Sequence, residues 1–176
     1  MEETIALIDR IIEEHKQIMK NFKVLEQVAN DAQALSGLEI AKEQFMPGRH
    51  DQKQGLQKLR ETLETVHEGL QSHFNREETT LLTAIEKHGN KAIISALHTL
   101  LLEHGNLRDR FTNSKQHVAE LISGGLSRHI WEASAHDMRA HLSHSQRLLA
   151  AHAKNEEELL HKLKRVLMGA GGNSSS

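Results

Sequence analysis

Residues 56–84 read LQKLRETLETVHEGLQSHFNREETTLLTA. Leu56, Leu59, Leu63, Val66, Leu70, His73, Glu77, Leu81 and Ala84 recur at steps of three and four, the spacing that lines successive side chains along one stripe of an α-helix. Seven members of that stripe suit an apolar interior. His73 and Glu77, one turn apart, do not: a carboxylate buried among leucines is unfavourable by several kcal/mol unless something cationic compensates it. The stretch therefore predicts a long helix and, on its inner face, a polar pair that needs a partner.

The same reading extends in both directions. Over residues 4–34, Ile8, Ile11, Ile12, Ile18, Phe22, Leu25 and Ala29 follow a helical period up to Ser36-Gly37, where a helix is expected to stop. Residues 36–50 contain Gly37, Pro47 and Gly48 and are read as a longer connection, with one short helical turn around residues 39–45. The second helix spans about 50–87, and His88-Gly89-Asn90 forms a tight turn. A third helix carries Ile93, Leu97, Leu100, His104, Leu107, Phe111, Ser114, Val118 and Leu121 and ends before Gly124-Gly125. A fourth runs from Ser127, as N-cap, to Met168, with Gly169 as its terminator. Residues 169–176 are expected to be a disordered tail.

Composition agrees. One proline, 3% aromatic residues and 38% hydrophobic residues in 176 favour an all-α protein with one core, assigned to residues 1–168. Two short turns and one longer connection suit an up-down-up-down antiparallel four-helix bundle. With no cysteine, a metal is held by imidazole and oxygen. A net charge of -2 without basic blocks excludes the footprint of a nucleic-acid binder. No apolar run reaches a membrane span, and the start Met1-Glu-Glu-Thr lacks the regions of a signal peptide, so a cytoplasmic protein is expected.

Fourteen histidines are the anomaly, since neutral imidazole is the commonest metal ligand among side chains. In an alternating bundle, the ends of helices two and four meet the starts of one and three. Measured from that base, His15 lies 11 residues beyond Thr4, His104 13 beyond Lys91, His73 14 before Lys87 and His152 16 before Met168. At about 1.5 Å per residue these heights are about 16–24 Å, so the four imidazoles share one layer. Glu77 and Glu156 lie one turn nearer the base on the faces of His73 and His152. Spacing alone is weak, because about 1.5 His-x-x-x-Glu pairs are expected by chance in this composition. Common depth and common facing carry the inference that His15, His73, Glu77, His104, His152 and Glu156 form a metal site.

One His on the first helix, His73-Phe-Asn-Arg-Glu77 on the second, one His on the third and His152-Ala-Lys-Asn-Glu156 on the fourth resemble the hemerythrin-like, or HHE cation-binding, domain over residues 1–168. The resemblance implies two iron ions in an oxo- or hydroxo-bridged centre, with the two glutamates bridging and the histidines capping. It also implies an open position for O2, NO or peroxide, used for binding or sensing. An enzyme acting on peroxide or NO, and an iron-delivery or iron-centre-repair protein, are alternatives with the same ligands. Where oxygen-carrying hemerythrins have a second histidine one turn after the first on helix three, this chain has Arg108, which implies a more symmetric and more open site. Zinc is the alternative metal, although six ligands exceed its usual four. A ferritin-like reading fails: Glu64/His67 and Glu158/His161 have the required spacing, but His67 and His161 stand about 20 Å apart along the bundle.

The other candidates are assigned more simply. His144, His141 and Asp137 are read as continuing the inner stripe of helix four, opposite Leu63, Ser114 and Glu26; either they form a half-exposed helix edge whose imidazoles bond to water, the simpler reading, or they line a polar channel, a network behind the ligands or an auxiliary metal site. Met19 is core filler. His50, His67, His88, His98, His117, His129, His136 and His161 are read as surface residues, and Glu14, Glu78, Glu103 and Glu157 as a solvated face.

Overall fold

A computed structural model describes the backbone of residues 1–40 and 50–171 and the side chains of residues 1–32 and 54–169. The helical elements are α1 (Glu2–Ile40), α2 (His50–Arg76), a single π-helical turn (Glu77–Leu81), α3 (Leu82–His88), α4 (Lys91–Ser123) and α5 (Arg128–Gly171). There is no strand among the described residues. No helix among them is long and apolar enough to cross a membrane.

Three boundaries depart from expectation. α1 continues through Ser36-Gly37 to Ile40, and α5 continues through Gly169 to Gly171. A lone glycine inside a helix costs only about 1 kcal/mol relative to alanine, too little to stop a run of thirty or more hydrogen-bonded residues. The short turn expected over 39–45 and most of the tail expected over 169–176 lie outside the described residues. The third departure is the π turn. There the Leu82 N–H donates to the Glu77 carbonyl five residues back, inserting one extra residue into the rod formed by α2 and α3. Beyond it the buried position moves from the expected Ala84 to Ile85, which is fully buried while Ala84 is only half-buried.

The turn into α4 follows its residues. The Gly89 N–H donates to the Ile85 carbonyl at 2.6 Å, and the Asn90 side chain accepts the Ile93 N–H at 2.9 Å, so Asn90 caps α4. A Cβ at position 89 would sit 2.7 Å from that same carbonyl oxygen, which is why the turn takes glycine. At the other end Gly124 adopts φ 76°, the left-handed closure that ends α4. Ser127 lies just before α5, and its carbonyl accepts the Trp131 N–H. The Trp131 indole N–H donates to the Leu121 carbonyl at 3.1 Å and ties the start of α5 to the end of α4.

α1 packs mainly on α2 and α5, and α4 mainly on α5 and α2, giving a four-rod helical bundle. Charged and polar pairs span two of these contacts. Asp9 meets Lys164 and His15 meets Glu157 between α1 and α5. Lys115 meets Glu64 and His98 meets Glu86 between α4 and the α2–α3 rod.

The buried apolar residues fall into two separate clusters. One gathers Phe22, Leu25, Leu59, Leu63, Leu70, Phe74, Phe111, Leu142 and Leu149 among others; the second gathers Ile8, Ile11, Leu81, Ile85, Leu97, Leu160 and Leu163 among others. Each fully buried Leu, Ile or Phe contributes about 1.5–3 kcal/mol by leaving water. Between the clusters lies a polar layer.

Candidate metal centre

The six residues singled out by depth and facing form that layer. His15, His73, Glu77, His104, His152 and Glu156 are all buried, with at most 4% of any of them exposed. His73 Nε2 lies 2.6 Å from Glu77 Oε1, and His15 Nε2 lies 3.4 Å from both Glu77 Oε1 and Glu156 Oε2. His104 Nε2 is 3.1 Å from Glu77 Oε2 and 3.0 Å from His152 Nε2, which in turn is 3.6 Å from Glu156 Oε2. One donor atom each from His15, His73, Glu77 and Glu156 falls within 4.8 Å of the others, as does one each from Glu77, His104 and His152. This cluster can hold a metal ion.

Four residues read as a solvated face turn out to orient the layer. The outward nitrogen Nδ1 of each histidine meets a carboxylate: His15 donates to Glu157 at 3.2 Å, His73 to Glu14 at 2.9 Å, His104 to Glu78 at 2.8 Å and His152 to Glu103 at 3.0 Å. Every one of these glutamates adjoins a layer residue in the chain: Glu14 beside His15, Glu78 beside Glu77, Glu103 beside His104 and Glu157 beside Glu156. A step of one residue turns about 100° round a helix, so a residue next to an inward-facing ligand faces the seam with the adjoining helix. That adjacency was the available signal. What sequence does not supply is the identity of the histidine across the seam.

The chemistry follows from these contacts. An ionised carboxylate only accepts hydrogen bonds, so each Nδ1 donates outward and each Nε2 is left facing inward, to offer a lone pair to a cation or, without one, to carry a proton toward the carboxylates. Opposite them stand Glu77 Oε2 and both oxygens of Glu156, buried and without a hydrogen-bond partner. Converging lone pairs in a dry layer are unfavourable unless a cation, or protons in its place, lies among them. The charges respond accordingly. Burial alone would lower the His15 pKa, but the carboxylates of Glu156 and Glu77, each 3.4 Å from Nε2, outweigh it and raise it to about 10. For Glu77, burial pushes upward, yet the imidazoles of His104, His15 and His73 close around it hold its carboxyl well below the usual range. Glu156 is raised, by burial first and by the neighbouring Glu77 charge as well.

Arg108 points away from the layer. Its guanidinium grips both oxygens of Glu78 at 2.7 and 2.9 Å, donates to Gln71 at 2.9 Å and lies 5.2 Å from the centre of the Phe74 ring. The Arg108 hydrogen bond is the main reason the Glu78 carboxyl is lowered. Phe74, not singled out in sequence, is fully buried and stacks on His104 with ring centres 3.9 Å apart. Arg76 similarly donates to both oxygens of Glu14.

Of the two readings of this stretch of α5, the structure gives the half-exposed helix edge and not the polar channel. Met138, Leu142 and Ser145 are buried, whereas Asp137 and His144 are exposed and His141 is half-buried. The inner face at this height runs 138–142–145–149–152, one residue out of step with the expected stripe, because packing of Leu142 and Met138 in the core outweighs any gain from burying polar groups. His141 donates from Nε2 to the Arg110 carbonyl at 3.1 Å and stacks on His117. His67 and His117, read as surface, are half-buried; His67 stacks on Phe111. His50 lies outside the described side chains. Met19 packs against the core as expected. Among the described residues, no group of three or more potential ligands gathers outside the layer.

Comparison with protein-family models, with curated proteins and with solved structures gives no match to this chain.

Proposed function

We propose that the chain is a hemerythrin-like up-down-up-down antiparallel bundle that holds two iron ions in the buried layer and uses them to bind or sense a small ligand, O2 or NO. The observation that carries this reading is the set of three buried carboxylate oxygens without hydrogen bonds, faced by four imidazole Nε2 atoms whose rings are each held at Nδ1 by an outer glutamate. Imidazole and carboxylate together suit iron, and six protein ligands exceed what one tetrahedral zinc takes. In this reading His15, His73, His104, His152, Glu77 and Glu156 would together hold the two ions. When bound, the iron supplies electrons and a coordination position for a small ligand. The chain itself excludes water, with apolar clusters above and below the layer, and keeps each imidazole in its ligating tautomer through an outer glutamate.

Protein purified from iron-replete cells under nitrogen, analysed for metal and titrated with O2 and NO, tests the reading. Two irons per chain and a visible spectrum that responds to either gas are expected; clearly less than one iron, or a spectrum indifferent to both gases, sinks it. Peroxide consumption, or catalytic loss of NO, would instead show an enzyme at the same residues.

A further inference from the structure

We propose that His67, Gln71 and Arg108 form a positioning chain for His104. The chain carries the protonation of His67, on the seam between α2 and α4, to the Glu78 carboxylate, and so loosens the layer's hold on a cation when His67 is charged. This inference rests on the reading of the layer as a metal centre, and it names a control on that centre.

Two helical stripes build the chain. His67, Gln71, Phe74 and Glu78 follow at steps of four, three and four along α2 and the π turn, and His104, Arg108 and Phe111 at four and three along α4. Across the seam their side chains meet in an unbroken line. Gln71 Nε2 lies 3.1 Å from His67 Nε2, and Arg108 Nε donates to Gln71 Oε1 at 2.9 Å. The two terminal nitrogens of Arg108 donate to Glu78, which accepts from His104 Nδ1 at 2.8 Å. Phe111 stacks on His67 with ring centres 6.0 Å apart, and the Phe74 ring lies 5.2 Å from the Arg108 guanidinium. Both phenyl rings are fully buried, so they close the inner side of the line to water. Arg76 grips Glu14 beside His73 in the same way, but among the described residues it makes no onward bond to a further side chain.

The direction of each bond is fixed from the arginine. A guanidinium only donates, so Gln71 turns its oxygen to Arg108 and its amide N–H to His67. His67 Nε2 therefore accepts, which requires the neutral ring. Charged groups around His67 act in the same direction: burial and the Lys115 ammonium on α4 lower its pKa, against a smaller upward pull from Glu64 and Glu68 on α2. A protonated His67 sets N–H against N–H, and the Gln71 amide must turn over to offer its oxygen. Arg108 Nε then loses its acceptor and the guanidinium loses the anchor that aligns it with both Glu78 oxygens. Glu78, whose side chain is 31% exposed, is free to turn to water and leaves His104 Nδ1 without a fixed partner. A cation in the layer thus favours neutral His67, and by reciprocity it lowers the His67 pKa.

NMR of ring-labelled histidines in the full chain, titrated with acid metal-free and with zinc(II), tests the chain; zinc(II) is diamagnetic and takes nitrogen and oxygen donors. In metal-free protein the His67 midpoint should lie below its ordinary value of about 6.5, and the His104 ring signals should move in a step at that same midpoint. Zinc should lower the His67 midpoint by about 0.5 in pH or more, equivalent to about threefold weaker zinc binding when His67 is charged. Gln71→Leu cuts the line and leaves only the field through space, so the step at His104 should vanish and the response of His67 to zinc should fall to less than half. Gln71→Glu accepts from Arg108 and from protonated His67 alike. It should raise the His67 midpoint above about 6.5 and also remove the step at His104. Far-UV circular dichroism checks helicity; should Gln71→Leu not fold, wild type and Gln71→Glu decide.

His67 titrating with no step at His104, or a step that survives Gln71→Leu, overturns the chain and leaves the metal reading standing. A His67 midpoint that zinc leaves in place or raises also overturns it. A step at His104 in protein that takes up neither zinc nor iron upholds the chain and retires the metal reading.

Discussion

At the scale of single residues, the layer sets stability against function. Glu156 is fully buried, and neither of its oxygens has a hydrogen bond. An unsatisfied buried polar group costs about 1–3 kcal/mol, so Glu156→Leu, which fills similar space without charge, should stabilise the metal-free protein by about that amount. The same change should abolish tight metal uptake. A urea denaturation curve beside a metal titration checks both halves, and a variant that is less stable and still binds metal would contradict the account. Glu78 makes a different prediction, because it touches His104 only through Nδ1 and is held there by Arg108. Glu78→Gln keeps the volume and loses the charge that fixes the His104 tautomer. Metal affinity should fall about 10–100-fold with helicity unchanged, read from the same titration. The polar members of the layer were legible before folding, since His73, Glu77, His152 and Glu156 interrupt stripes of leucine and isoleucine. The orienting glutamates were not, because an adjacent glutamate looks the same in sequence whether it meets water or the imidazole of a neighbouring helix.

At the scale of elements, capping and register decide where the ligands stand. α4 begins at Asn90, whose side chain accepts the Ile93 N–H and satisfies one of the free donors of the first turn. Asn90→Ala should destabilise the protein by about 1 kcal/mol, and Asn90→Ser much less, as measured by thermal or urea unfolding. If both variants unfold alike, the cap is not the cause. The π turn at Glu77–Leu81 is the second such feature. Threonine hydroxyls at 79 and 83 donate back to the carbonyls of Asn75 and Thr79, bonding that tends to bend a helix and that falls across the turn. The extra residue falls just where the layer needs Glu77 inward and the base cluster needs Leu81 and Ile85. Hydrophobic steps of three and four predicted the rod as a whole; one inserted residue is invisible to that count until the packing beyond it is seen.

At the scale of the whole molecule, the polar layer divides the apolar core into an upper and a lower cluster. A cation bound in that layer joins all four rods at mid-height and binds the folded state alone, so it should raise stability by mass action. At free metal about a hundred times its dissociation constant the gain is about 2.7 kcal/mol, seen as a higher melting temperature that a chelator reverses. Identical melting with and without metal would show that the layer takes no ion. Helical period, the turn at His88-Gly89-Asn90, the stop at Gly124 and the inward face of the six layer residues are local properties of the chain, governed by backbone geometry within a few residues, and they could be read directly. Which glutamate meets which histidine, where Arg108 sends its charge and how α5 turns His144 and Asp137 out to solvent depend on the rotation of each rod against its neighbours. That rotation is set by side chains distant in sequence packing together, Leu142 and Met138 in the core for α5 and Phe74 on His104 for α2, and no single helix carries it.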